Sequence, residues 1–194
     1  MKTAFFLLAV LCGVRSASAQ FVSIGGGAVF PQDRQGTAAG ATIVTANWGR
    51  SGIVTLDAGM GFLPLLAGSL HYSYARPDLF RSGSFGTALS RVGTHTLTLD
   101  ARLRSPEIGG LRVFGFAGVG FSRANAGLAT AVSLSTRDTF PVFTFGGGVE
   151  KRIAPLLHVK GELRDYLSGI PESLFSPGGS WHRVAATGGI TLGR

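Results

Sequence analysis

Between residues 156 and 166 the chain reads LLHVKGELRDY, and odd and even positions separate cleanly. His158, Lys160, Glu162, Arg164 and Tyr166 carry the polar groups, while Leu157, Val159, Gly161 and Leu163 are apolar or neutral. A period of two puts these sets on opposite faces of a β-strand. A helix would spread Lys160, Glu162 and Arg164 around its circumference and leave no dry stripe. One question then governs the reading, which is the face that is buried. In a soluble sandwich the aliphatic face meets a second sheet and the charges meet water. In a transmembrane barrel the aliphatic face meets lipid and the charges line the interior.

The alternation recurs along the chain and predicts eight strands. The first covers residues 20–30, with Val22, Ile24, Ala28 and Phe30 on one face and a run of three glycines, Gly25 to Gly27, that leaves room for bulky interior side chains opposite. The second, 52–62, opposes Val54, Leu56, Ala58, Met60 and Phe62 to Thr55, Asp57, Gly59 and Gly61. In the third, 66–76, Leu70, Tyr72 and Tyr74 face away from Ser69, His71 and Ser73. The fourth, 92–104, sets Leu97, Leu99, Ala101 and Leu103 against Thr96, Thr98, Asp100 and Arg102. Residues 111–123, 139–152, 156–166 and 181–193 complete the set.

Breaker residues mark the connections. Long ones are expected at 31–51, 77–90, 124–138 and 168–180, with a short extended excursion at 41–48. Short turns are expected around Pro64, at 105–110 and at Ala154-Pro155. Strands of roughly 10 residues suit a tilted crossing of the hydrocarbon layer. Long and short connections alternate strictly, as they do when long loops face the exterior and short turns the periplasm. A Greek-key sandwich has no reason for that rhythm. The fold class expected is all-β, an eight-stranded antiparallel up-and-down transmembrane barrel with four longer extracellular loops.

Composition sharpens this picture. Residues 1–19 read as a secretory signal peptide, with Lys2 at the start, an apolar run from Ala4 to Val14 and a small-residue site Ala17-Ser18-Ala19. A Sec-exported chain cleaved there leaves one domain, 20–194, in the outer membrane. Cys12, the single cysteine, falls within the signal, which excludes a disulfide framework and cysteine-ligated metal from the remainder. The formal net charge of +8 points to an anionic neighbour. For an exported chain that neighbour is outer-membrane lipid or lipopolysaccharide phosphate rather than nucleic acid.

In this order, FVSIGGGAVF, RVFGFAGVGFSR, FTFGGGVEKR and above all LHVKGELRDYLS give the chain a resemblance over residues 20–194. It resembles the eight-stranded outer-membrane β-barrel domain family of OmpA- and OmpX-type barrels. The resemblance implies a monomer inserted by the barrel-assembly machinery. Such barrels usually finish on an aromatic residue, whereas this chain ends Ile190-Thr191-Leu192-Gly193-Arg194, a departure that bears on assembly more than on fold.

An eight-stranded barrel is just wide enough for side chains to fill. The pattern points Asp57, His71, Asp100, Arg102, Glu150, His158, Lys160, Glu162, Arg164 and Arg183 inward. With the turn at Ala154-Pro155, Glu150 should lie beside His158 or Lys160. The site expected is a lumenal charge network of Asp57, Asp100, Arg102, Glu150, His158, Lys160, Glu162, Arg164 and Arg183 that closes the barrel, because unpaired charge in that interior is costly. No cofactor and no metal are expected, since the four histidines lie on four different strands. His71-Tyr72-Ser73 echoes the His-x-Ser pair of an outer-membrane lipid A deacylase, but Tyr74-Ala75 follows it where that family has Asn-Ala. The function expected is non-enzymatic, structural or surface-interacting. The alternatives are a narrow pore or small hydrophobic-ligand channel and a lipid A-modifying enzyme. Tyr72, Tyr74, Phe121, Phe140, Tyr166 and Trp181 are candidates for aromatic girdles, and Arg34, Arg50, Arg76, Arg81, Arg91 and Arg137 for outward cations.

Overall fold

The computed structural model describes residues 20–32, 34–38, 42–83, 86–128, 136–169 and 180–193. The expected signal peptide, with Cys12, and the terminal Arg194 lie outside the described residues. Strands follow in chain order as β1 (Gln20–Pro31), β2 (Arg34–Ala38), β3 (Thr42–Trp48), β4 (Ser51–Gly61), β5 (Leu66–Ala75), β6 (Asp78–Gly83), β7 (Gly86–Arg104), β8 (Leu111–Leu128), β9 (Thr136–Ala154), β10 (Leu157–Gly169) and β11 (Ser180–Gly193).

Eight of these close a barrel in the order β1, β4, β5, β7, β8, β9, β10, β11, with β1 pairing antiparallel to both β4 and β11. The row that starts at Phe21 passes Gly59, Ser69, Asp100, Gly118, Thr144, Tyr166 and Arg183. It returns to β1 at Pro31, ten residues along. With about 3.3 Å of rise per residue and about 4.8 Å between strands, eight strands with that stagger tilt by about 40° and enclose a cylinder of radius about 8 Å. Side chains must therefore fill the interior, and the size of each inward residue matters.

Three short turns gather at one end of the barrel. The turn between β7 and β8 closes through Ile108 and Leu111, each backbone N–H donating to the other's carbonyl, at 2.9 and 3.0 Å. Its central residues Gly109 and Gly110 have φ of 61° and 80°, left-handed values that match the twist of a hairpin and favour glycine at both positions. The long connections lie at the other end, and much of their described length is strand rather than loop, while the loop expected at 168–180 lies, from 170 to 179, outside the described residues. The expected excursion at 41–48 is β3, which pairs with β2 as a hairpin and with β6 on its other side. The loop expected at 77–90 is the hairpin of β6 with the upper part of β7. β8 and β9 run past the expected loop boundary, pairing as far as Ala126 and Thr136. Backbone groups beside an existing ladder are satisfied by continuing it, even where side chains give no alternating signal.

Along the barrel strands, buried and exposed positions alternate. Ile24, Leu56, Leu70, Leu99, Val119 and Leu163 are exposed on the outside, between 36% and 64% accessible. An apolar exterior of this extent, wrapped around a closed sheet, is the face a barrel turns to lipid. The aromatic candidates divide. Tyr72 and Phe121 are exposed on the outer wall, but Phe140, Tyr166 and Trp181 are buried inside. Tyr166 has the parity of Arg164 and Glu162, so it points where they point.

Candidate functional site

The interior is built in three levels. At the turn end, Phe21 from β1 and Phe114 and Phe116 from β8 are buried. They fit because small residues face them. A Cβ on Gly148 would lie 2.7 Å from the Phe114 ring and collide with the Gly161 carbonyl, and one on Gly146 would lie 2.7 Å from the Phe116 ring. Gly148→Ala should accordingly cost about 1–3 kcal/mol by overpacking. Gly161→Ala should be nearly neutral, because the nearest atom to its new Cβ is Val149 Cγ2 at 4.0 Å. Urea unfolding of the two variants in detergent checks the contrast, and equal midpoints would refute it.

The three rings surround one guanidinium. Arg102 is fully buried, with its Cζ 4.5 Å from the Phe114 ring centre, 5.2 Å from Phe21 and 5.9 Å from Phe116. Its carboxylate partners are Glu150 at 3.5 Å, Glu162 at 3.8 Å and Asp57 at 3.9 Å. The ring faces and the carboxylates together offset the cost of holding this cation away from water.

The middle level is a continuous charge chain. Asp57, on β4, accepts from Lys160 Nζ at 2.5 Å, His71 Nδ1 at 2.6 Å and Ser23 Oγ at 3.2 Å. Lys160 also reaches Glu162 at 3.3 Å, and Arg164 Nε donates to the other oxygen of Glu162 at 2.9 Å. Arg164 Nη1 then donates to Asp100 at 2.7 Å, while the Thr98 and Thr144 hydroxyls donate to the remaining Asp100 oxygen at 2.9 and 3.1 Å. The Asp57 carboxylate accepts, so His71 Nδ1 carries a proton, and the ring's Nε2 lies 2.9 Å from the Tyr166 hydroxyl.

The third level, toward the loop end, is largely apolar. Val29, Ile53, Ala75, Val92, Ala124, Phe140, Val142, Trp181 and Ala185 pack together above Tyr166. A void of about 10 Å³ between Ser73, Thr94, Thr96, Tyr166 and Arg183 is the size of a single water.

Seven of the nine expected network residues, Asp57, Asp100, Arg102, Glu150, Lys160, Glu162 and Arg164, come together in this interior. Glu150 lies opposite Lys160 in the ladder, although its own ion pair is with Arg102. The other two stand apart. His158 is half-buried next to the turn, opposite Arg152, and joins none of these pairs. Arg183 is buried one level up, donating to Ser122 at 3.2 Å and packing over Trp181 at 4.8 Å and Tyr166 at 5.4 Å. The sequence reading missed Ser23, Thr98, Thr144 and the Tyr166 hydroxyl as members. The signal was present for Thr98, two residues from Asp100 on the same face.

His71 and Ser73 are buried in the lumen, His71 being held by Asp57 and Tyr166. On the outer wall, His182 Nδ1 meets Asp165 at 2.7 Å and His95 Nδ1 meets the Tyr72 hydroxyl at 2.8 Å. Among the outward cations, Arg50 and Arg76 are exposed, and the side chains of Arg34, Arg81, Arg91 and Arg137 lie outside the described residues.

No protein-family model matches the sequence, and no curated protein is significantly similar to it. Solved structures are similar in fold. The outer membrane protein OprG of Pseudomonas aeruginosa superposes with a TM-score of 0.64 at 12% identity, over 92% of this chain and 96% of that one. The chain has the fold of the eight-stranded outer-membrane barrels. Neisserial surface protein A matches with a TM-score of 0.60 at 11% identity, covering 90% and 96% of the two chains. Ail, the attachment invasion locus protein of Yersinia pestis, solved with the heparin analogue sucrose octasulfate, gives 0.58 at 11%, covering 92% and 100%. These barrels share this one's architecture while differing from it at nearly nine positions in ten.

Proposed function

We propose that this protein is an outer-membrane barrel with a sealed lumen, a non-enzymatic structural or surface-interaction protein that works through its walls and its long-connection end. The filled interior carries this reading. Aromatic rings around Arg102, the charge chain from Asp57 to Asp100 and the apolar cluster around Phe140 and Trp181 occupy successive levels of a cylinder about 8 Å in radius. Single-channel recording in planar bilayers tests it. Seal-level current is expected, and a stable conductance step would overturn it in favour of a narrow pore.

The loop end of the outer wall supports contact with anionic headgroups. Arg50, Arg76 and Arg123 are exposed there, and Arg50 lies over the Phe30 ring at 5.3 Å. Lipopolysaccharide phosphates are the matching chemistry in an outer leaflet, and Ail, with the same fold, holds a sulfated sugar. The reading also includes export with cleavage after Ala19 and insertion by the barrel-assembly machinery as a monomer. Fractionation should place the chain in the outer membrane with Gln20 at its N-terminus and with heat-modifiable gel migration. A soluble periplasmic monomer that needs no detergent would refute it.

A further inference from the structure

The outer wall is not uniformly convex. A groove of about 1200 Å³ runs obliquely across it from Gln20 and Met60 near the turn end to Phe143 and Leu167 toward the loop end. Its floor is one register row. Gln20 pairs with Met60, Met60 with Gly68, Gly68 with Ala101, Ala101 with Ala117 and Ala117 with Phe145. Three neighbouring strands thus place small outward residues, Gly68, Ala101 and Ala117, side by side. Leu70, Leu99 and Val119, two residues further along the same strands, stand above that floor. Phe62 makes a lip at the turn end, close enough that a Cβ on Gly68 would come 2.8 Å from its ring.

We propose that this groove binds one hydrocarbon chain of a membrane lipid. The inference rests on the reading that the barrel lies in a membrane, and adds a ligand site to it. Shape and chemistry both select the occupant. Flanking rows four residues apart are about 13 Å between centres before side chains narrow the gap, which leaves the width of a single linear chain. Six strand steps from β1 to β10 make the groove about 29 Å long, and with strands tilted by about 40° it climbs about 19 Å along the barrel axis, somewhat more than the half of a roughly 30 Å hydrocarbon layer that one lipid chain occupies. Beyond Gln20 at the turn end, the floor and flanks on the outer face are apolar, so water has no partners there. An empty groove would forfeit the dispersion contacts of its lining. Exposed leucines, valines and phenylalanines continue the apolar surface on all sides, so the groove opens into the lipid-facing band itself.

The test uses the whole barrel, extracted from membranes in mild detergent, with retained phospholipid measured by native mass spectrometry. The Gly68→Leu/Ala101→Leu/Ala117→Leu variant fills the floor with side chains of the same polarity as the wall. Retained phospholipid should fall about tenfold, as the chain loses the packing contacts that the floor makes with it. Ala101→Leu alone should shift it in the same direction should the triple variant fail to fold. A control, Gly161→Leu/Gly188→Leu, adds comparable though slightly smaller apolar bulk on the opposite wall, where the added Cβ atoms meet nothing closer than 3.9 Å, and should leave retention unchanged. Equal retention by the filled and native barrels overturns the proposal, as does a native barrel that carries no lipid. A dimer that disappears on filling would assign the groove to a second copy and overturn it equally. A chain recovered soluble without detergent sinks the membrane reading and the groove together, whereas an inserted barrel with no retained chain sinks the groove alone.

Discussion

Asp57→Ala is expected to be the most damaging single change in the lumen, lowering stability by about 3–5 kcal/mol, the cost of leaving buried charge uncompensated. Three of its partners lose an acceptor at once. Lys160 Nζ sits 2.5 Å from it, His71 Nδ1 2.6 Å and Ser23 Oγ 3.2 Å, all of them buried. Glu162→Ala should cost less, because Lys160 then keeps Asp57 and Arg164 keeps Asp100 at 2.7 Å. The decisive measurement is a pair of double-mutant cycles by urea unfolding in detergent. Asp57→Ala/Lys160→Ala should lose clearly less than the sum of its singles, because each single already breaks the shared pair. The Lys160/Glu162 cycle, across 3.3 Å, should couple more weakly. Additive losses in both cycles, together with a measurable conductance, would mean that these groups are independently hydrated. The lumen would then hold water, and the pore reading would lead.

Leu99→Arg and Leu163→Arg are expected to destabilise the inserted barrel by about 2–4 kcal/mol, the depth-dependent cost of a charge on the lipid face near the midplane. Both side chains are exposed in the apolar band, at 64% and 61%. Ile108→Arg is the counterpart. Ile108 is more exposed still, at 79%, but it sits in the β7–β8 turn, where an interfacial arginine should cost about 0–1 kcal/mol. Refolding equilibria into lipid vesicles separate depth from exposure. If the three substitutions were equal, or if Ile108 were the worst, the exposed apolar face would not be meeting hydrocarbon. Both the inside-outside assignment and the lipid groove would then fall.

The two experiments probe faces that are one residue apart along the same strands. Thr98 points inward to Asp100 while Leu99 points outward, and Glu162 and Leu163 stand in the same relation. A strand in such a barrel therefore carries two independent requirements, charge compensation inside and apolarity outside. The inner requirement is the stricter. Gly146 and Gly148 show this, since each is overlain by a phenylalanine from β8 and has no room for a methyl group.

Much of this architecture follows from local pattern. Alternation at 156–166 and 96–103 determined strand, face and the polarity of each face, because successive side chains on a strand point to opposite sides whatever the strand packs against. The spacing of breakers determined where the chain turns, and the alternation of long and short connections determined which turns share an end. Parity alone even placed Tyr166 with Arg164, although aromatic character drew it toward the membrane surface in the sequence reading. What local pattern could not determine is which inward groups meet. Lys160 reaches Asp57 across 103 positions and His71 reaches Tyr166 across 95, contacts set by the number of strands and the ten-residue stagger at closure. Arg183 and His158 share the inward parity of the network but sit above and below it, because axial height depends on that stagger rather than on sequence. The connections expected at 31–51 and 77–90 hold strands for a related reason. A ladder edge recruits the adjoining backbone through its N–H and C=O groups, which every residue but proline carries in full and which side-chain patterning does not report.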